Sequence, residues 1–442
     1  MTSSDRPNIL FIFSDQQSAD MMSCAGNGDL HTPAMDALAA RGVRFERAYC
    51  AQPLCVPSRS AMSTGRYPHE VGAPFNFHPH EMDVPENLDW VGALLRDAGY
   101  DTAYFGKWHQ PVAPERKDIH GWRQVALEKD PELPRVCEAF FDERRTERRE
   151  RPFFLTVSFL APHEVCQAAR GQDLPNGNVG TPPAPEACPA LPSNVDVPDE
   201  EPDVLRQVMP MSPGAYPTAD WNNDDWRRFR WTYARLVERL DGWLAGILDS
   251  LDRHGLADNT VIVYSADHGD GAGAHRWNQK QSLYEEPSRV PLILCDPDGG
   301  GGRTETSSLV STGLDLLPTF CDYAGIPAPA GLSGRSLRPF ARGRRPDDWR
   351  DHLVVETEFG KFSEPFGIAG RAVYTDRYKY VVYSQGRRRE HLTDLRADPG
   401  EMHNLAGRDA YAEQLRRHRR LLRTWQQTTG DGWDFAEVTS SP

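Results

Sequence analysis

The grouping in this sequence best suited to chemistry is Cys55-Val-Pro-Ser-Arg59, followed by Ser60-Ala-Met-Ser-Thr-Gly65-Arg66. Pro57 suits the first turn of a helix and Gly65 its stop, so Cys55 faces a helix N-terminus, where partial positive charge favours an anion. A thiolate nucleophile is one reading of that cysteine, and a small buried residue ahead of a helix is the other. Asp15 and Asp267-His268 each follow an apolar run. Carboxylates at two strand ends supply oxygen ligands for a hard divalent cation if the ends converge, and cap loops if they do not. Lys107 and His109 follow the run Asp101 to Phe105 with a spacing of two, which turns both side chains to one face. Together they suit neutralisation of an anionic substrate and removal of a proton. His163 closes the apolar stretch that begins at Phe153.

These groups need a scaffold. Asn8 to Phe13 is a continuous apolar run ending in Ser14-Asp15-Gln16-Gln17, as in a strand buried on both faces with polar groups at its carboxyl end. In open α/β sheets ligands sit at that end. Further runs at Phe153 to Phe159, Thr260 to Ser265 and Pro291 to Cys295 alternate with helical stretches and predict an α/β fold with a mainly parallel sheet. Phe229, Tyr233, Leu236, Leu240, Leu244, Ile247 and Leu251 fall at steps of three or four, predicting a helix that packs lengthwise on the sheet and stops at Gly255. Twelve of the 36 prolines lie between Pro162 and Pro217, so that segment reads as a lid or a linker and not as a regular core element. After Arg342-Gly-Arg-Arg-Pro346, the runs His352 to Glu356, Ile368 to Tyr374, Tyr378 to Tyr383 and His391 to Asp394 come without helices between them. They predict a smaller antiparallel α+β subdomain closed by a helix over roughly 410–427. The division is thus a catalytic domain over 1–345, with an insertion at about 164–225, and a C-terminal subdomain over 346–442.

Composition narrows the function. The chain has 442 residues, with 39% hydrophobic and 26% charged. No apolar run reaches the roughly 18 residues of a membrane span. Fifty Lys and Arg against 64 Asp and Glu leave a net charge of −14, which argues against a nucleic-acid partner. An anionic substrate must then be drawn in by a local positive pocket. The first seven residues lack the basic and apolar regions of a secretory leader, so the expectation is a cytoplasmic protein. The eight cysteines show no CxxC pairing and read as mostly buried, reduced thiols.

Read jointly, the motifs resemble the sulfatase family of the alkaline phosphatase superfamily. The matching pieces are Asn8 to Asp15, CVPSRSAMSTGRYPHEVG from Cys55, Gly106-Lys107-Trp108-His109, Ala161-Pro162-His163 and Asp267-His268-Gly269-Asp270. His275 and Lys280 follow, then Tyr284-Glu-Glu286, Arg289-Val-Pro-Leu292, GLSGRSL from Gly331, Thr375 to Lys379 and DLRADPGEMHNLA from Asp394. Only about residues 164–225 lack such motifs. The resemblance implies an alkaline-phosphatase-like sheet sandwiched by helices and a sulfuric ester hydrolase in which Cys55 is oxidised after translation to formylglycine. It implies a divalent metal held by Asp15, Gln16, residue 55, Asp267 and His268. Many members have Asp where Gln16 stands and Asn where His268 stands, so calcium is the family default and manganese is plausible here.

The same resemblance implies the roles around the nucleophile. The aldehyde at position 55 hydrates, and one hydroxyl attacks sulfur and displaces an alcohol. Arg59 pairs with the resulting alkoxide or with a ligand carboxylate, and Lys107 neutralises a sulfate oxygen. His109 deprotonates the second hydroxyl to expel sulfate. His163 and Lys280 reach the ester and its bridging oxygen, and one of them protonates the leaving alcohol. His275 binds substrate or serves as a structural hydrogen-bonder. Glu285 and Glu286 hold the Lys280 loop or pair with Arg289. The implied partners are a small sulfate ester and a formylglycine-generating enzyme, with neither nucleic acid nor membrane, and the oligomeric state is open. Tyr216, Trp221 and Trp226 are candidates for stacking on a sugar or aryl ring, with packing the alternative. A phosphonate monoester or phosphodiester hydrolase of the same superfamily is the rival reading. GKWH, with Lys107 and His109, favours sulfate. A metal-stabilised binding protein that keeps Cys55 as a thiol is the remote one.

Overall fold

A computed structural model of the chain describes residues 6–76, 84–85, 87–146, 151–198, 200–211, 218–361 and 364–435. Its strands are β1 (Asn8–Asp15), β2 (Val43–Phe45), β3 (Ala48–Tyr49), β4 (Asp101–Gly106), β5 (Gln124–Ala126), β6 (Phe153–Pro162) and β7 (Thr260–Ala266). They continue as β8 (Leu292–Cys295), β9 (Arg303–Glu305), β10 (Val310–Ser311), β11 (Leu353–Lys361), β12 (Glu364–Tyr374), β13 (Tyr378–Tyr383) and β14 (Glu390–Asp394). The longer helices are α1 (Pro33–Arg41), α2 (Cys55–Thr64), α3 (Leu133–Thr146), α4 (Asn223–Arg253), α5 (Thr312–Ala324) and α6 (Ala412–Thr429).

The main sheet has eight strands in the order β5-β4-β6-β1-β7-β8-β2-β9. The first five run parallel, β8 is antiparallel to β7 and to β2, and β2 pairs in parallel with β9. Alternation along β1 builds a core on each face. Leu10 and Ile12 join α1, α3 and α4 on one side, and Ile9, Phe11 and Phe13 join α2 and α5 on the other. Burial on both faces is why β1 reads as an unbroken apolar run. The β3 and β10 pair forms a separate two-stranded ladder. Strands β11 to β14 form an antiparallel meander covered by α6, whose Leu415, Leu422 and Trp425 enter a third core.

The proline-rich segment departs from the expectation of a lid or linker outside the core. It carries short helices at Val165–Ala169 and Asp203–Val208. The first buries Val165 and Cys166 in the main core, and the second buries Val204, Leu205 and Val208 against the C-terminal sheet. Prolines prevented long elements there but left apolar residues at both ends to be covered. All eight cysteines are free thiols, with seven buried and Cys24 half-buried. Among the described residues, no helix is long and apolar enough to cross a membrane.

Candidate active site

Parallel registration brings the reactive residues to one edge of the sheet. Gly106 lies opposite Ser158, Asp15 opposite Pro162 and Ser14 opposite Ala266. Lys107, His163, Asp15 and Asp267 therefore emerge side by side. Helix α2 is aimed at the same edge, with Cys55 as its first residue and all ten of its residues buried. Gly65 ends it in the left-handed conformation, at φ 69°, and its N–H donates to Ala61 O.

Arg59, one turn along α2 and fully buried, ties the centre together. Its Nε donates to Asp267 Oδ2 at 2.7 Å and its Nη2 to Asp15 Oδ2 at 2.8 Å, while Nη1 reaches Lys107 O at 3.0 Å and Ser158 Oγ at 2.9 Å. Lys107 Nζ donates to Asp15 Oδ2 at 2.5 Å. Burial opposes the Asp15 charge, but Lys107, His163, Arg59 and Lys280 outweigh it and hold this carboxyl well below the usual range. Asp267 goes the other way, pushed up to about 6 by burial and by the neighbouring Asp15 charge.

Cys55 Sγ lies 3.3 Å from His268 Nε2, 3.8 Å from Asp15 Oδ1 and 3.0 Å from Lys280 Nζ. Burial and Asp15 oppose its ionisation, yet Lys280, Lys107 and His268 hold the thiol well below its ordinary value. Lys280 Nζ also donates to Gln16 Oε1 at 3.0 Å. His109 interacts with the Cys55 side chain, and His163 faces Lys280, Lys107, Asp15 and Cys55. Burial is the main cause that lowers both imidazoles. Burial favours the neutral ring in both, and among the described residues neither buried Nδ1 has a hydrogen-bond partner, which leaves it open to a ligand.

The donor set fits a hard cation. Ligand atoms of Asp15, Cys55, Asp267 and His268 all lie within 4.8 Å of one another, and all four residues are buried. Two buried carboxylates and an imidazole at that spacing are the oxygen and nitrogen donors that such a dication takes. Gln16 presents its carbonyl oxygen to the same space because its Nε2 is engaged by Asp270 Oδ2 at 2.7 Å. Asp270 lies in the Asp267 to Asp270 motif, but sequence reasoning assigned it no role, since nothing local distinguishes a ligand from the residue that orients one. Ser158 and Ser58, which donates to Asp267 O at 2.5 Å, were likewise missed for want of any pattern around a lone serine. Gly269 has a steric reason, because a Cβ there would sit 2.0 Å from Glu286 O.

His275 is the site candidate that the structure sets apart. Its ring stacks on Tyr284 at 3.8 Å between centroids, and its Nε2 accepts from Asn194 Nδ2 at 3.2 Å. Burial and the charges of Lys379, His391 and Arg206 push it down to about 3, and no group of the Cys55 cluster acts on it. Of the two roles open to it, the structural one matches this placement. Glu285 pairs with Arg289 and Lys379, and Glu286 accepts from Asn194, in keeping with supporting roles. Trp226 is 1% exposed and packs against Trp221, Phe229 and Gly273, which makes it a core residue and not a stacking platform. Tyr216 lies outside the described residues.

Comparison with known proteins places the chain in a family. Residues 7–326 match the family model described as Sulfatase, and residues 273–428 match the one described as N-sulphoglucosamine sulphohydrolase, C-terminal. A Delta 4,5-hexuronate-2-O-sulfatase of Bacteroides thetaiotaomicron is 31% identical over 99% of this chain and 92% of its own. A solved 2-O GAG sulfatase is 28% identical with a TM-score of 0.85, covering 97% of this chain and 93% of the other. A phosphonate monoester hydrolase of Agrobacterium radiobacter shares the fold at a TM-score of 0.76 and 24% identity, over 96% of each chain.

Proposed function

The chain belongs to the sulfatase family and is a sulfuric ester hydrolase, and on that premise we propose that it desulfates a carbohydrate through a formylglycine made from Cys55. The observation that carries this reading is the convergence of Lys107, His109, His163 and Lys280 on the Cys55 end of α2, beside the buried Asp15 and Asp267. The oxidised and hydrated residue 55 supplies a hydroxyl nucleophile. A divalent cation, calcium or manganese, fits Asp15, Gln16, residue 55, Asp267 and His268, and supplies charge stabilisation for sulfate oxygens and for that hydroxyl.

The remaining work falls to groups with fixed geometry. Lys107, only 17% exposed in its side chain, presents its ammonium to one sulfate oxygen while Asp15 orients it. His109, neutral because buried, accepts the proton whose loss expels sulfate from residue 55. Lys280 and His163 also lie beside residue 55 and serve the leaving alcohol, with the Asp15 charge favouring the ammonium form of the buried lysine. Arg59 is fully enclosed by the two carboxylates and the Lys107 carbonyl, so it holds the ligand set in place and does not touch substrate.

The carbohydrate substrate class is supported by the hexuronate-2-O-sulfatase relative, which matches along nearly the whole chain. Kinship with the phosphonate hydrolase supports the fold alone. Two measurements test the proposal. The mass of the tryptic peptide Ala48 to Arg59, from protein made beside a formylglycine-generating enzyme, reports the state of residue 55. A thiol that stays unmodified while a control sulfatase is matured in the same cells removes the nucleophile. Sulfate release from a panel of 2-O-, 6-O- and N-sulfated uronates and hexosamines, run beside a phenylphosphonate monoester, then separates the readings. Faster phosphonate turnover overturns the sulfate assignment.

A further inference from the structure

The loop from Gly271 to Gln281 joins two parts of the site. Asp270, just before it, engages Gln16 at 2.7 Å, and Lys280, near its end, lies 3.0 Å from Cys55 Sγ. Within the loop five residues other than glycine have positive φ: Ala272 at 45°, His275 at 52°, Arg276 at 54°, Gln279 at 69° and Gln281 at 71°. Such a run is unfavourable for L-residues and persists only where surrounding contacts dictate it.

The contacts at the base are local to the site. Gln281 N donates to Pro53 O at 2.9 Å, and Thr357 Oγ1 donates to Gln281 O at 2.7 Å. The tip is held from the proline-rich segment. His275 N donates to Asn194 O at 2.7 Å, Arg276 N to Val195 O at 3.1 Å, and Arg206 Nη2 to His275 O at 2.9 Å. The Asn194 amide then faces three acceptors at once: His275 Nε2 at 3.2 Å, Glu286 Oε1 at 2.8 Å and Gly400 O at 3.2 Å. His275, Glu286 and Glu401 bring ligating atoms within 4.8 Å of one another, but the Asn194 amino group donates to His275 and Glu286, and Lys379 Nζ pairs with Glu401 at 2.7 Å. The cluster is a hub closed by an amide.

We propose that Asn194 is a positioning residue for Lys280, acting through His275 and the strained loop, and that the segment around it braces the catalytic lysine. The inference rests on the reading of Lys280 as a group that acts on the ester. Losing the amide strips the donor from the buried His275 imidazole in the loop and from the Glu286 carboxylate beyond it, and a small shift at the tip is carried to Lys280 through Trp277, whose Nε1 donates to Lys280 O at 3.1 Å.

A double-mutant cycle on the matured, metal-loaded enzyme tests this, with phenyl sulfate as the probe and sulfate release as the readout. Asn194→Ala lowers kcat about tenfold with KM within about twofold, and the same substitution in a Lys280→Ala background costs less than about twofold. Gly400→Ala is the second variant, since its Cβ would press on Asn194 Cβ at 3.1 Å and shift the brace with the amide retained. It lowers kcat less, and likewise only while Lys280 is present. Equal losses in both backgrounds, a loss confined to KM, or no loss in either variant overturns the inference. An unchanged kcat in Lys280→Ala overturns instead the reading of Lys280 on which it rests.

Discussion

Replacing Arg59 with Met removes one cation from the centre and keeps most of its buried stem. Asp15 retains Lys107 at 2.5 Å, but among the described residues Asp267 Oδ2 has only the Arg59 Nε at 2.7 Å, its Oδ1 being held by the backbone N–H groups of Gln16 and His268. The loss therefore falls on Asp267. Breaking a buried pair costs about 3–5 kcal/mol, a large share of a stability of about 5–15 kcal/mol. With the guanidinium present, Asp267 is already pushed up to about 6. Without it the folded carboxyl keeps its proton to higher pH, while the unfolded chain releases it near 3.9. A raised carboxyl contributes its stability below the unfolded pKa and loses it as pH rises through the folded one. In the parent that loss is complete shortly above pH 6. In the variant it continues at about 1.4 kcal/mol per pH unit, so the difference between the proteins widens by up to about 3 kcal/mol from pH 6 to pH 8. Urea unfolding followed by tryptophan fluorescence in chelator at pH 6, 7 and 8 measures it. A difference under about 1 kcal/mol, or one that shrinks as pH rises, would falsify this account of the site.

Further outcomes follow from other parts of the molecule. His109→Ala lowers kcat by about 10²–10⁴-fold and leaves a sulfated residue 55 detectable by mass, and full turnover without that adduct removes His109 as the base. Burial pushes His391 down to about 4, so its neutral form stabilises the fold above the unfolded pKa of about 6.5 and up to about 3 kcal/mol is lost as pH falls toward 4. His391→Leu flattens that acid slope in urea titrations, and an equally steep fall contradicts it. Gly269→Ala lowers the thermal midpoint and activity together, because Glu286 O would lie 2.0 Å from the new Cβ; an unchanged midpoint refutes the steric reason. Chelation lowers the urea midpoint and calcium or manganese restores it in proportion to binding, whereas a midpoint indifferent to both argues against a cation among Asp15, Asp267 and His268.

Much of this was legible along the chain because the signals are local. The apolar run before Asp15, the helical spacing from Phe229 to Leu251 and the four C-terminal runs all became elements, since burial on one or two faces sets their periodicity. Cys55, Arg59, Lys107, His109, His163 and Lys280 sit in motifs whose residue types already suit the chemistry. Strand direction was less legible. The run Pro291 to Cys295 looks like its neighbours, yet β8 is antiparallel, because burial dictates apolar content and not polarity. His275 and Trp226 show the same limit. His275 lies close to Lys280 in sequence and Trp226 suited stacking on a substrate ring by type, yet each points into packing that only the folded neighbours reveal.

By itself, then, the sequence determined which groups were available and which elements would carry them. Those choices follow from side-chain type, spacing and helix-end geometry over a few residues. Only the tertiary structure decided that Asp15, Cys55, Asp267 and His268 meet within 4.8 Å, that Asp270 orients Gln16, and that Asn194 reaches the loop of Lys280. Such contacts join segments far apart in the chain, and their geometry depends on strand order, register and the packing of both faces at once, which no local pattern encodes.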